Sequence, residues 1–210
     1  GLSIVGSSRA NGKRQELDFY PTPRYAVQDL LNREKCDGEI WEVACGTGDI
    51  SEVLKFNGYS VFSSDIEDYG YNDDTIDFLK YDGEMVDNIA TNAPYILGLE
   101  FVEQAKKYAR KKIAMLFKTA FLESDKRFQL YQDKDFPLEY VYQFSDRVTI
   151  YKDGVKMKNS GMVAYAWYVW NKDYVGEPKL RWISKQENSK FIKQIRAAKI
   201  AYLRKVMTSA

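Results

Sequence analysis

Two groups of residues in this 210-residue chain have types and spacing that could do chemistry. The first is a glycine turn, Cys45-Gly46-Thr47-Gly48-Asp49, followed by an acid, Asp65, nineteen residues beyond Gly46. Without a Cβ, Gly46 and Gly48 can adopt positive φ and let a ligand lie against the backbone at the end of a strand. A plain helix-to-strand loop and a solvated strand-end acid account for the same residues. The second group is Asn92-Ala93-Pro94-Tyr95, which offers acceptors, a proline-restrained loop and an aromatic face within four residues. A strand-end turn with a buried tyrosine is the plainer reading of it.

Other chemistries are excluded by what the chain lacks. It has no histidine, which removes Ser-His-Asp and Cys-His nucleophilic machinery. Its two cysteines, Cys36 and Cys45, form no CxxC pattern, so neither a disulfide framework nor a metal site is expected. The turn has no third glycine of a dinucleotide fingerprint and no Gly-Lys-Ser/Thr, so NAD and ATP fit poorly.

The elements that must position these groups read as alternating strands and helices. Thr22 suits a helix N-cap, with Pro23 at the first helical position before Tyr25, Val27, Leu30 and Leu31. Ile40 to Ala44 reads as a buried strand, Ile50 to Asn57 as a helix and Tyr59 to Ser64 as a second strand, a unit long enough for a right-handed crossover. Ile89 to Thr91 is a short strand, Leu99 to Lys112 a helix, and Ile113 to Lys118 the next strand. Tyr140 to Phe144 and Met162 to Trp170 supply further strands. The second of these alternates Val163, Tyr165, Trp167 and Val169 on one face with Ala164, Ala166, Tyr168 and Trp170 on the other. The expectation is an α/β fold with a mostly parallel central sheet flanked by helices.

Length and composition suit one soluble domain, placed at residues 17–183, with an arm at 1–16 and a basic helix at 184–210. The net charge of +1 hides a local excess, because the 184–210 segment carries seven basic residues against the single acid Glu187. That tail suits contact with phosphate, and equally a solvated docking helix or a dimer contact, so the oligomeric state stays open. No apolar run is long enough to span a bilayer and the N-terminus has no secretory core, so a cytoplasmic protein without a membrane partner is expected.

The ordered set Tyr20-Pro21-Thr22-Pro23, Glu42 to Gly48, Asp65, Asp77-Phe78-Leu79 and Asn92 to Tyr95 resembles the class I S-adenosylmethionine-dependent amino-methyltransferases that modify adenine N6. In particular it is similar to the small phage and prophage DNA adenine methyltransferases, over roughly residues 18–183. The resemblance implies the Rossmann-like class I methyltransferase fold, S-adenosylmethionine as cofactor, and nucleic acid, DNA first, as partner. It also implies a cofactor site of Tyr20, Pro21, Thr22, Glu42, Ala44, Gly46, Gly48, Asp65, Ile66, Asp77, Phe78 and Asn92. In that reading Asp65 accepts from the ribose diol, Asp77 and Phe78 meet the adenine, and Pro21 and Thr22 close over the methionine end. Asp77 as a cap, Phe78 as a core residue and Asp82 as the adenine contact remain alternatives.

The family usually has two prolines in the tetrapeptide, and here the first is Ala93. An exocyclic aromatic amine is a poor nucleophile because its lone pair is delocalised, so two acceptors must orient it, here the Asn92 oxygen and the residue 93 carbonyl. Alanine can supply that carbonyl. The change removes only the φ that proline imposes. Asn92, Ala93, Pro94 and Tyr95 are thus the implied catalytic residues, with Tyr95 stacking on a flipped base. Tyr165 and Trp167 lie in the strand that by resemblance approaches the base pocket, although an aromatic strand is more often simply buried, and Lys126 and Arg127, in the polar insertion Asp125 to Pro137, offer another phosphate contact. RNA adenine, cytosine N4 and a protein glutamine amide present the same planar amine, and a non-catalytic binding or regulatory module with the same fold is the alternative from another class.

Overall fold

The computed structural model describes residues 21–148, 150 and 163–184. The arm at 1–16, Tyr20, Met162 at the start of an expected strand, and the basic tail beyond Ser184 lie outside the described residues.

Helix α1 (Arg24–Leu31) leads into β1 (Ile40–Glu42), α2 (Asp49–Phe56), β2 (Val61–Asp65), β3 (Asp74–Thr75) and β4 (Val86–Thr91). Then come α3 (Gly98–Tyr108), β5 (Ala109–Lys118), α4 (Asp125–Gln132), β6 (Leu138–Phe144), β7 (Tyr165–Asn171) and β8 (Lys179–Ile183). The eight strands form one sheet in the order β3-β2-β1-β4-β5-β7-β6-β8. β3, β2, β1, β4 and β5 run parallel, while β7 is antiparallel to both β5 and β6. The chain reverses direction in sheet order between β1 and β4, and the crevice at that switch, at the carboxyl ends of the strands, is where such sheets place ligands.

Both faces of the sheet are covered. On one, α1 and α2 contribute Ala26, Val27, Leu30, Ile50 and Leu54, packed with Ile40, Leu116 and Trp167. On the other, α3 and α4 contribute Val102, Ala105 and Leu130, packed with Trp41, Ile89, Met115 and Tyr168. This explains the aromatic richness of β7, whose alternation delivers Tyr165, Trp167 and Val169 to the first core and Ala166, Tyr168 and Trp170 to the second. Among the described residues no helix is long and apolar enough to cross a membrane.

Three boundaries differ from the sequence reading. The α3 helix ends at Tyr108, four residues before the expected Lys112, because Ala109 to Lys112 pair with β4 and Lys112 also pairs with Asn171 of β7. Ladder hydrogen bonds on two sides outweigh the helical propensity of Ala-Arg-Lys-Lys. The polar insertion holds α4, whose first turn is capped by the Ser124 hydroxyl accepting from the Lys126 amide at 3.2 Å. Finally, β3 and β8 carry no strong strand signal. β3 is two residues long, and β8 is an edge strand with mixed exposure.

Candidate active site

The site begins where β1 stops. Beyond Glu42 the chain turns through Gly46 (φ 50°) and Gly48 (φ 82°), both left-handed, before α2 starts at Asp49. The turn closes on itself through the Gly48 amide, which donates to the Cys45 carbonyl at 2.8 Å. It is tied to the neighbouring strand by the Gly46 amide, which donates to Asp65 Oδ2 at 2.8 Å. Asp65 is thus anchored at the tip of β2, its Oδ1 also accepting from the Glu67 amide at 3.3 Å, while it lines the cleft. Burial raises its carboxyl above the usual aspartate range, against the pull of backbone amides including Gly46 and Glu67.

Behind the turn lies Glu42, almost fully buried, accepting from the Ser51 amide at 2.7 Å and from the Ser51 hydroxyl, which in turn meets the Ser63 hydroxyl at 2.7 Å. Burial pushes this carboxyl well up, and the two Ser51 bonds only partly offset it.

On the opposite wall β4 ends at Thr91 and delivers Asn92. Its Nδ2 donates to the Thr22 hydroxyl at 3.0 Å, across seventy residues of sequence. Thr22 is therefore not the cap of α1. Pro23 occupies that position in extended conformation (ψ 125°), its carbonyl accepting from the Ala26 amide at 2.8 Å, and no side chain caps the helix. The reason is positional: an extended Pro23 turns the preceding residue away from the helix end and toward the cleft, where Thr22 is buried. Ala93 is buried, and Pro94 opens a tight 3-10 turn over Tyr95–Leu97.

One cleft of about 920 Å³, counted to its open mouth, gathers most of the implied cofactor residues. Pro21, Thr22, Glu42, Ala44, Gly46, Asp65, Ile66, Asp77, Phe78 and Asn92 all line it, together with Ala93 and Pro94. Gly48 does not. It sits beneath the ring of Tyr71, where an added Cβ would come within 2.3 Å of Cε1. Asp77 is held by Lys80 at 2.6 Å, and Asp82 is not on the wall. Phe78 is a core residue as well as a wall residue, its ring edge-on to Trp41 at 5.4 Å and tilted against Phe101 at 5.4 Å. Leu79 belongs to the Asp77-Phe78-Leu79 motif, whereas the apolar lining from Ile76, Leu97 and Phe101, and the half-exposed Tyr69, were not identified from sequence. The only signal for them is their nearness to Asp77 and to the tetrapeptide.

The implied substrate residues separate. Tyr95 and Tyr165 come together with ring centroids 5.8 Å apart, and Lys118 Nζ lies 4.7 Å from the Tyr95 centroid. Trp167, by contrast, is 0% exposed, and its indole nitrogen donates to the Ala26 carbonyl at 2.8 Å, so it is a core anchor for α1 out of a substrate's reach. Arg127 folds back onto the 3-10 turn Thr119–Leu122, donating to the carbonyls of Phe121 (2.7 Å), Ala120 (3.3 Å) and Glu123, with its guanidinium over the Phe121 ring. Those bonds engage Nε and Nη2 and hold the guanidinium on the turn. Lys126 lines a separate groove between α3 and α4 with Glu103, Lys106 and Lys107, sharing no residue with the cleft.

No family model matches the sequence, and no curated protein does either. Solved structures do match. A modification subunit assigned to a type I restriction enzyme of Vibrio vulnificus YJ016 superposes with a TM-score of 0.57 at 16% identity, over 87% of this chain and 53% of its own. The present chain thus spans about half the length of that subunit. A protein described as an RNA methyltransferase of Pyrococcus horikoshii matches at 0.57 and 14% identity, over 76% and 90% of the two chains. The magnesium protoporphyrin IX methyltransferase of Synechocystis PCC 6803, with SAH bound, matches at 0.51 and 13%, over 71% and 83%. At these identities the likeness establishes the fold: the chain has the Rossmann-like fold of class I methyltransferases.

Proposed function

We propose that this chain binds S-adenosylmethionine in the cleft and methylates an exocyclic amino nitrogen, N6 of adenine in DNA. The observation that carries the reading is the position of Asn92. It stands at the carboxyl end of β4, on the wall of the cleft that Gly46 and Asp65 also line, with its amide held by Thr22.

The chemistry of the wall fits the cofactor. Among the described residues lining the cleft are four acids, Glu42, Asp49, Asp65 and Asp77, and no lysine or arginine. A phosphate-bearing nucleotide would find no basic side chain on that wall, whereas a nucleoside carrying a sulfonium and an ammonium finds Asp65 together with Asp49 and Asp77, which Arg24 and Lys80 partly neutralise. Asp65, with Oδ2 on the Gly46 amide and Oδ1 on the Glu67 amide, keeps a further lone pair on each oxygen for a ribose diol. Ile66, Ile76 and Leu79 supply apolar surface for a purine. When bound, the cofactor supplies an electrophilic methyl group.

The remaining work falls to the chain. The Thr22 bond engages Nδ2 of Asn92, and in this reading Oδ1 is the acceptor offered to the amine. With the residue 93 carbonyl as second acceptor, the two N–H groups of the amine are engaged and its lone pair is directed at the methyl. Ala93, which carries that carbonyl, is buried on the cleft wall. The Tyr95 ring supplies the stacking surface. A base inside a duplex must leave the helix to reach such an enclosed site. The restriction subunit and the RNA methyltransferase among the structural neighbours support a nucleic-acid substrate.

The test is transfer from methyl-labelled S-adenosylmethionine to duplex DNA, single-stranded DNA and RNA, with nucleosides identified by mass. Label in N6-methyladenine of DNA is expected, with Asn92→Ala lowering turnover about 100-fold or more while cofactor affinity is kept. Label in N4-methylcytosine or in RNA overturns the base or the polymer. Tight cofactor binding without transfer to any of the three overturns the nucleic-acid reading in favour of a non-catalytic module or a protein substrate.

A further inference from the structure

The aromatic residue of the tetrapeptide is not bare. Lys118 is the last residue of β5, and its Nζ sits 4.7 Å from the centroid of the Tyr95 ring. In the sheet, Lys118 is directly paired with Tyr165 of β7, whose ring is the other neighbour of Tyr95. Three adjacent pieces of backbone therefore converge on one ring: the loop after β4, the end of β5 and the start of β7. Because Met115 is in register with Thr91, Lys118 stands three residues further toward the same carboxyl rim that carries Asn92.

The surroundings of Lys118 are unlike those of several other lysines. Lys80, Lys106, Lys111, Lys112 and Lys179 each pair with a carboxylate. Lys118 forms no salt bridge to a described carboxylate, and its ammonium rests on a π face. An ammonium on that face and a stacked base exclude each other. A base that takes this face must displace a cation on a flexible four-carbon stem, and the nearest strong anion it brings is its own phosphodiester.

Building on the reading above, we propose that Lys118 is a nucleic-acid-binding residue that covers the Tyr95 ring in the free protein. When the target base stacks, it swings to the phosphodiester flanking that nucleotide. Lys126 and Arg127, the residues that sequence suggests for phosphate, are in the α3–α4 groove and on backbone carbonyls respectively. Lys118 stands apart from both, at the rim that carries Asn92.

The experiment is a fluorescence-polarisation titration of a fluorescein-labelled, mixed-sequence duplex with wild type, Lys118→Met and Lys118→Arg, in S-adenosylhomocysteine, at several salt concentrations. One lost phosphate contact lowers the slope of log affinity against log salt by roughly one. The wild-type advantage over Lys118→Met then shrinks about 3.5-fold between roughly 50 and 200 mM salt. Lys118→Arg keeps the wild-type slope, and affinity for S-adenosylhomocysteine is the same in all three. A Lys118→Met slope equal to wild type overturns the proposal even if affinity drops, because a residue that merely props the tyrosine releases no counterion. Wild type that binds DNA without transferring methyl removes the enzymatic reading while the slope still judges Lys118. Wild type that binds no nucleic acid sinks both.

Discussion

Replacing Thr22 by valine tests the link between the segment before α1 and the tetrapeptide. Valine keeps the shape of the buried side chain and removes only the oxygen that accepts from Asn92 Nδ2 at 3.0 Å. An amide N–H left facing the valine methyl without an acceptor costs about 1–3 kcal/mol. The Asn92 side chain can escape that cost by turning over, which places Nδ2 where the acceptor oxygen should be. Each 1.4 kcal/mol is a factor of ten in such an equilibrium, so the ratio of correctly to wrongly oriented amide falls roughly 5- to 150-fold. Steady-state methyl transfer should therefore show kcat reduced by up to about that factor, with KM for S-adenosylmethionine changed far less, because the cleft wall is otherwise intact. Thr22→Ser, which restores the hydroxyl, should recover most of kcat. A Thr22→Val kcat within about twofold of wild type would show that the Thr22 hydroxyl does not orient Asn92. So would a Thr22→Ser variant as impaired as Thr22→Val, since packing and not the hydrogen bond would then be at work.

Two further outcomes follow from the glycine turn and the acid behind it. Gly48→Ala should destabilise the fold by about 2–4 kcal/mol, from the left-handed φ of 82° and a Cβ driven against Tyr71, whose hydroxyl donates to Glu52 at 2.7 Å. Urea unfolding in a Tyr71→Ala background should recover the steric part and leave about 1–2 kcal/mol, whereas an additive cycle would show that no clash exists. For Glu42, burial raises the folded-state pKa above 4.5, so the folded state holds its proton more tightly than the unfolded chain. Its contribution is full below pH 4.5 and is lost as pH rises through the raised folded value. Glu42→Gln retains acceptors for Ser51 and removes the ionisation, so the variant's stability relative to wild type should increase with pH. A pH-independent difference in urea midpoints would contradict this.

The sequence announced the parts of the site that depend on local backbone chemistry. Gly46 and Gly48 had to mark a turn because the left-handed φ they adopt is costly for other residues, and Asp65 followed at the spacing that one strand-helix-strand unit imposes. The alternation in β7 was legible because a strand's period of two is a local property, and it correctly split Tyr165 from Tyr168. What it could not say was which face met solvent, since both faces are covered by helices. Trp167, implied beside a base, is for that reason a buried donor to Ala26.

Arg127 and Thr22 show the same limit in opposite directions. A basic residue in a polar segment and a threonine before a helix have several local uses, and only the assembled fold chooses among them. It sends Arg127 back to the carbonyls of a 3-10 turn and Thr22 across the cleft to Asn92. The end of α3 was decided in the same way, by strands brought alongside residues 109–112 from distant sequence. Turn chemistry, strand period and the order of the motifs are short-range consequences of sterics and were fixed by residue type. The partner of each polar side chain, and the placing of Lys118 over Tyr95, depend on which strands become neighbours, and that is settled only when both faces of the sheet are buried.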